Sequence, residues 1–342
     1  MTAAAPTETD VLIIGAGPAG LWAAFELGLL QCEAHIVDAL PMAGGQVAQL
    51  YGDKHIYDIP GNPRCTGHEL VQNLLQQLRP LDVPIHLGQT IGGLQRQGQH
   101  LLVSSASQRW RCRALVIAAG VGAFVPRKLR GIDFSALEGQ SVRYHAPEGE
   151  CTGKRCAVYG GGEQALAAAV ALCQRQATQV TLIYRRDVLQ AEADTLAAFS
   201  ELREQGRIDV ITATVTGFVA RGSQLMALDL SHPNGSSSRQ QVDALWVMEG
   251  LSNQLGAISD WGLAMTRKQI NIDPLTMATN EAQIYAIGDV IHTPHKRKLL
   301  VGAFHEATQA AYAIADALHP AGLGPQEYTS SSARLQKKLA QP

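Results

Sequence analysis

One motif occurs twice in this chain and constrains the fold more than anything else. An apolar run ends in glycines, a helical run follows, and a second apolar run ends in charge. The first copy reads DVLIIG at 10–15, GAGPAG at 15–20, LWAAFELGLL at 21–30 and EAHIVD at 33–38. Short apolar runs bounded by glycine read as buried parallel strands, so this is one strand–helix–strand unit. The second copy reads KRCAVYGGG at 154–162, EQALAAAVALCQRQ at 163–176 and QVTLIYRR at 179–186. A third stretch returns to the first pattern, with TNEAQIYAIGDV at 279–290 as a strand and GAFHEATQAAYAIADAL at 302–318 as a helix. Two glycine-centred cycles with a return to the first predict an α/β protein with one discontinuous domain. Residues 1–123 and 246–342 would form that domain, and 124–245 would be inserted in it.

Between these anchors the signals are weaker. Residues 41–67 carry PMAGGQ and YDIPGNP and read as a long ordered loop more than a regular element. HELVQNLLQQLRPL at 68–81 has apolar spacings of three and four, which predict a helix. VPIHL at 83–87, a hairpin and RALVIAAG at 113–120 then return the chain to the sheet. Residues 193–219 read as a helix followed by strands, 231–241 as a polar hairpin turn and 242–250 as a strand. Residues 319–342 read as a tail or small docking element.

Each residue type in the first copy has a physical task. Gly15 turns the chain out of the strand, Gly17 lets backbone approach a pyrophosphate, and Gly20 lets helix and sheet pack closely. The start of the helix, with Pro18 and Ala19, offers its amides to the anion. Asp38 ends the second strand, where a carboxylate can bond the adenosine ribose hydroxyls. Gly288 and Asp289 end a later strand, where a second carboxylate can hold a ribityl or ribose hydroxyl. In the second copy Gly160, Gly162 and Ala165 give a Gly-x-Gly-x-x-Ala fingerprint, with Glu163 and Gln164 at the helix start. No acid closes the next strand. Arg185 and Arg186 stand there, and two guanidinium groups suit a 2′-phosphate that a carboxylate would repel. That favours NADP over NAD; ion pairs with Asp187 and Glu192 are the alternative use of the two arginines. Two dinucleotide sites call for one held and one exchanging cofactor. A flavin that accepts a hydride and releases single electrons meets that need.

Composition removes other classes. Lys plus Arg is 28 against 30 for Asp plus Glu, a net charge of −2, which disfavours a dedicated nucleic-acid binder. No run approaches the ~18 apolar residues of a membrane span. The N-terminus is short and polar, without the basic and apolar regions of a secretory signal. The six cysteines are scattered with no Cys-x-x-Cys pair, as expected of free thiols in a reducing cytoplasm, and no short cysteine spacing suggests zinc.

Nearly the whole chain resembles the thioredoxin-reductase-like flavoproteins, and within them the bacterial type 2 ferredoxin/flavodoxin–NADP reductases. The general carriers are IIGAGPAG, GGG at 160–162, YRRD at 184–187 and YAIGD at 285–289. The specific carriers are GGQ at 44–46, YDIPGNP at 57–63, GAFVPRKL at 122–129 and KLLVGAFHEA at 298–307. The resemblance implies two Rossmann-like three-layer nucleotide-binding domains, FAD in the discontinuous one and NADP(H) in the inserted one, and a homodimer. It implies FAD-dependent electron transfer between NADPH and ferredoxin or flavodoxin. Thioredoxin reductases carry a cysteine pair just before the second glycine cluster; RYHAPEGE at 143–150 has none. The resemblance also adds Gly45 and Gln46 to the FAD contacts and stacks Tyr51 on one flavin face. Tyr328 would fall on the other face, where better-known relatives have histidine. It directs a helix beginning near Glu306, Ala307 and Thr308 at the flavin pyrimidine edge, with His305 where a small residue is usual. Gln190 replaces a frequent third arginine. Arg127, Lys128, Arg130, Lys296, Arg297 and Lys298 offer positive surface to an acidic acceptor. Competing readings are an NADPH oxidase or reductase of another small acceptor, and a redox sensor that binds FAD without turnover.

Overall fold

A computed structural model gives the structure of residues 5–149, 151–186, 188–322, 324–325 and 327–340. The chain divides into two compact units, one of Met1–Ala123 with Gln254–Pro342 and one of Phe124–Asn253. In chain order the first unit begins with β1 (Thr7–Ile14), α1 (Pro18–Leu29), β2 (Ala34–Val37), α2 (Gly45–Tyr51) and α3 (Gly67–Leu78). It continues with β3 (Ile85–His86), β4 (Ile91–Gln97), β5 (His100–Ser105) and β6 (Arg109–Ile117). The second unit contains β7 (Val142–Arg143), β8 (Arg155–Tyr159), α4 (Glu163–Gln174), β9 (Gln179–Tyr184) and α5 (Ala193–Glu204). After these come β10 (Ile208–Thr212), β11 (Thr214–Arg221), β12 (Gln224–Ser231), β13 (Ser237–Gln241) and β14 (Ala244–Val247). The chain then returns to the first unit with β15 (Ile284–Ala286), α6 (Leu300–Leu318) and α7 (Ala333–Leu339).

The sheet of the first unit runs β3-β2-β1-β6-β5-β4, with β15 also paired to β6. β6 is long enough to serve two partners along one edge. Its first half pairs antiparallel with β5 through Leu101↔Cys112, and its last three residues pair parallel with β15 through Ile284↔Leu115 and Ala286↔Ile117. Val11, Leu12 and Ile13 of the central strand are fully buried, which explains their unbroken apolar run. α3 starts on a reciprocal cap. Thr66 Oγ1 accepts from the Glu69 amide at 3.2 Å, and the Thr66 amide donates to Glu69 Oε2 at 2.7 Å, an arrangement worth about 1 kcal/mol.

The second unit repeats the scheme in parallel order β7-β14-β8-β9-β10, beside an antiparallel β11-β12-β13 sheet. Val158 pairs with Trp246 and Tyr159 with Val247, so β14 is a core strand of this unit. The expected return at 246 is therefore displaced to 254: leaving at 246 would strip the β8 edge of its partner.

The stretch 41–67 holds more regular structure than its glycines and prolines suggest. α2 lies inside it, preceded by Gly44 at φ +113°, and residues 55–56 and 65–66 pair as a short antiparallel ribbon. Seven residues between glycines are too few for a helical period to stand out. The tail ends in α7, which docks through buried Leu335 and through Arg334, whose guanidinium donates to Leu29 O at 3.1 Å.

Candidate functional site

The first glycine turn leaves bare backbone on three sides. A Cβ on Gly15 would lie 2.3 Å from Ala118 O, and one on Gly20 would lie 1.9 Å from Gly15 O. Gly15 also sits at φ +117°, so both positions exclude any side chain. Gly17 differs: the nearest atom to its missing Cβ is Gly45 Cα, 4.0 Å away. The space above Gly17 is therefore open and walled opposite by the α2 start, whose Gly44 amide donates to Ala16 O at 2.8 Å. Gly17 precedes α1 without a side-chain cap, and Pro18 fills the first turn without needing an acceptor. The free donors thus face the opening. Gly120, at φ +59°, meets the Gln46 amide nitrogen, and Gly288 lies against Ala19. Gly15, Gly17, Pro18, Ala19, Gly20, Gly45 and Gln46 consequently line one cradle with Gly288. Gly120 lies outside both fingerprints; its only sequence signal is the AAG end of the β6 run.

Two carboxylates accompany the cradle. Asp38 Oδ2 accepts from the Ala16 amide at 2.6 Å and Oδ1 from the Leu40 amide at 2.8 Å. Burial pushes its pKa up, while the Leu40 and Ala16 amides pull it back. Each oxygen retains acceptor capacity for a hydroxyl. Asp289, half-buried beside Gly288, has no side-chain hydrogen-bond partner among the described residues. This geometry fits a dinucleotide: room for a pyrophosphate where a Cβ would intrude, donors for its charge, and carboxylates for hydroxyls.

The α6 expectation is corrected. The helix begins at Leu300, so Ala307 and Thr308 lie inside it with their amides already committed to its ladder. The uncommitted amides belong to the turn at 300–302. Thr308 instead joins two helices: Trp22 Nε1 donates to its Oγ1 at 3.1 Å, and that hydroxyl donates to Glu26 Oε1 at 3.0 Å. Glu306 carries an unforeseen role. Its Oε2 accepts from the Gly288 amide at 2.8 Å, and its Oε1 pairs with Lys296. These side chains are 12% and 9% exposed, so Lys296 is no part of a positive surface. Lys128 is likewise paired, with Glu138 at 2.6 Å, whereas Arg297, Lys298 and His305 are exposed.

The two tyrosines are not brought together. Tyr51, at the end of α2, is 47% exposed with the Lys54 ammonium 5.7 Å from its ring centre. Tyr328 is 58% exposed beside Glu327, which is ion-paired to Arg334. Arg334 in turn holds Leu29 O at the C-terminal end of α1, about 18 Å along the helix from the cradle. Within its own chain Tyr328 is thus placed away from the glycine turn.

The second unit repeats the turn with different surroundings. Gly160, at φ +145°, would place a Cβ 2.4 Å from Met248 O. Ala165 stands fully buried where the first turn requires glycine, so α4 sits farther from its turn than α1 does. Gly162 and Gln164 are exposed. Glu163 does not face the opening as a free carboxylate. Its Oε1 accepts from Thr195 Oγ1 at 2.6 Å and its Oε2 from the Glu192 amide at 2.7 Å, and these bonds hold its pKa down. Arg185 and Arg186 are exposed, and neither has a carboxylate partner among the described residues. Asp187 lies outside those residues.

All six cysteines are buried free thiols. Burial first, then neighbouring Cys151, push Cys156 up to about 12, and burial pushes Cys112 to about 12 and Cys32 to about 11. Thiols so held are poor nucleophiles. Among the described residues no cluster of three or more potential metal ligands occurs, and no helix is long and apolar enough to cross a membrane.

Comparison with known proteins agrees with this geometry. The family described as pyridine nucleotide-disulphide oxidoreductase matches residues 9–314. A ferredoxin–NADP reductase of Acidovorax sp. (strain JS42) is 47% identical over 98% of this chain and 96% of its own length. One of Verminephrobacter eiseniae (strain EF01-2) is 44% identical over 97% and 96%. Among solved structures, the bacillithiol disulfide reductase Bdr of Bacillus cereus has a TM-score of 0.61 at 17% identity, covering 91% of this chain and 100% of its own. The thioredoxin reductase of T. acidophilum has a TM-score of 0.55 at 20% identity, covering 91% and 99%. The structural likenesses establish the two-domain α/β fold. The family match over residues 9–314 and the near full-length sequence identities establish that the chain belongs to the pyridine nucleotide-disulphide oxidoreductases, in their ferredoxin–NADP reductase branch.

Proposed function

We propose that the chain moves electrons between NADPH and ferredoxin or flavodoxin through FAD held in the first unit. One observation carries the reading: two matching glycine turns are followed by opposite charges, Asp38 after the first and Arg185–Arg186 after the second. An acid receives ribose hydroxyls; exposed guanidinium groups receive a 2′-phosphate. In the first unit Gly15, Gly17 and Gly45 leave room for the FAD pyrophosphate, the α1 amides from Ala19 onward receive it, and Asp38 and Asp289 take hydroxyls. Tyr51 offers a flat apolar face to the ring, and the open amides at 300–302 oppose negative charge that develops there. Bound FAD supplies the conversion between a two-electron donor and a one-electron acceptor. In the second unit Gly160, Gly162 and the start of α4 receive the NADP pyrophosphate, and Arg185 and Arg186 the 2′-phosphate.

The buried thiols, with no cysteine pair before Gly160, support direct passage to an external acceptor over an internal dithiol relay. Exposed Arg297 and Lys298 support docking of an acidic one. The reading includes a homodimer, for which exposed Leu299, just before α6, and exposed Val301 and Tyr312 along it are support. It includes a cytoplasmic location, for which six unpaired thiols are support. In a dimer, Tyr328 would serve as a flavin-stacking group from outside its own cradle.

The test is to purify the protein, record its visible spectrum, and follow NADPH-driven ferredoxin and flavodoxin reduction. Yellow protein that reduces either acceptor with NADPH and much more slowly with NADH is expected. Folded protein that takes up no FAD, or that passes NADPH electrons only to disulfides, overturns the reading.

A further inference from the structure

The chain on either side of the arginine pair is fastened to the second glycine turn, through Tyr184 before it and through Gln190, Glu192 and Thr195 after it. Before the arginines, the Tyr184 ring covers Gly161 so closely that a Cβ there would lie 2.2 Å from the ring. After them, the Gln190 amide donates to Gly161 O at 2.9 Å. Glu163 then accepts from both the Glu192 amide and the Thr195 hydroxyl, at 2.7 and 2.6 Å. Glu163 opens α4, the helix whose first amides face the anion site. A free carboxylate there would compete with a bound phosphate. With two donors on its oxygens, the carboxylate instead becomes a bracket between the start of α4 and the start of α5.

We propose that Glu163 and Thr195 are positioning residues for recognition of the 2′-phosphate: they lash the Arg185–Arg186 segment to the glycine turn without touching the nucleotide. Arginine side chains lose considerable rotamer freedom on binding, and a fixed backbone beneath them reduces what remains to be ordered. The segment's footing therefore contributes to affinity for the 2′-phosphate and not to affinity for the rest of the nucleotide. Gln190 acts in the same structure through its backbone, whatever its side chain. The inference rests on the proposed role of the arginine pair, and the experiment separates the two.

The flavin-loaded protein is titrated calorimetrically with adenosine 2′,5′-bisphosphate and, separately, with ADP, which lacks the 2′-phosphate. R185A/R186A is expected to weaken the bisphosphate by about tenfold or more and leave ADP unchanged. E163A and T195V are expected to weaken the bisphosphate about two- to tenfold, the range of one hydrogen bond's net contribution, with ADP unchanged. E163Q and T195S keep the bonding partners and are expected to bind both ligands as the unmodified protein does. An unchanged bisphosphate affinity in R185A/R186A overturns the arginine role and this inference with it. An effect of R185A/R186A without one of E163A or T195V overturns the bracket alone. Equal weakening of both ligands in E163A and T195V also overturns it, since that is general damage to the unit; T195V decides if E163A fails to fold.

Discussion

The two glycine turns are built alike where the chain leaves the strand and differently everywhere around it. Gly15 donates to Val37 O at 2.8 Å and Gly160 to Ile183 O at 3.0 Å, and each presses on a carbonyl of the neighbouring strand. Beyond that the first turn is enclosed. α1 touches it through Gly20, Gly44 and Gly45 wall it opposite, and Asp38 is already tied to two amides. The second turn is open, with Gly162 exposed, an alanine spacing the helix away, and two arginines free of carboxylates among the described residues. One fold motif thus yields a site suited to retention and a site suited to exchange. The difference lies in second-neighbour residues, not in the fingerprint.

The sharpest way to break this comparison is to spoil each turn in the same manner. G15A and G160A both force a side chain into positive φ, at roughly 1–3 kcal/mol, and both drive Cβ into a carbonyl. G15A is expected to yield colourless or insoluble protein. G160A is expected to stay yellow while losing reduction by NADPH, read by anaerobic bleaching. A yellow G15A protein would show that enclosure does not govern retention.

A smaller effect follows from charge. Lys296–Glu306 is buried under the first cradle, while Arg155–Asp243 in the second unit is about one-third exposed. K296M strands Glu306 and should cost about 3–5 kcal/mol. R155M should cost about 1 kcal/mol or less, because solvent screens the carboxylate left behind. Chemical unfolding, read by flavin fluorescence for the first unit and by hydrogen exchange in β8 for the second, measures both, and K296M/E306Q should recover much of the K296M loss. Equal costs for K296M and R155M would remove this distinction.

The smallest effect concerns acid. His35 Nδ1 and His86 Nε2 lie 3.0 Å apart between β2 and β3, and burial lowers both below the ordinary 6.5. The unfolded chain then binds protons below pH ~6.5 that the folded one does not, so stability falls as pH drops from there. At the corresponding strand pair of the second unit Thr181 faces Asp209, with no histidine. Hydrogen exchange should therefore show the first sheet loosening between pH 7 and 5 more than the second, and H86Q should lessen the difference.

Much of this architecture is written locally. The strands flanking each glycine turn, α1, α4 and the charges after β2 and β9 are legible because a buried parallel strand needs an unbroken apolar run and a turn needs glycine. What escapes is set at a distance. α2 hides among glycines, and the return to the first unit depends on Trp246 finding Val158. The residues read the α6 helix at 302–318, within two of its start at Leu300, whereas the start near Glu306 implied by the resemblance falls inside it. Lys296 reads as surface in a basic run, and Glu306, ten residues on in α6, turns it inward. Glu163 is legible as a residue of the second fingerprint, but its bond to Thr195 carries no sequence signal, since it joins helices that start thirty residues apart.

The interrupted first unit has a consequence for how the molecule comes into being. The second unit is one continuous run, whereas the first keeps its β6 edge waiting for β15 and leaves Trp22 and Glu26 waiting for Thr308. At ribosomal rates of ~5–20 residues per second, the wait between β6 and β15 lasts on the order of ten to thirty seconds. Throughout it the inserted unit can close its own core while the half-made first unit presents apolar strand and helix to the cell. The first cradle is accordingly completed late, although its fingerprint is among the first residues to emerge, and chaperone dependence should centre on residues 7–117.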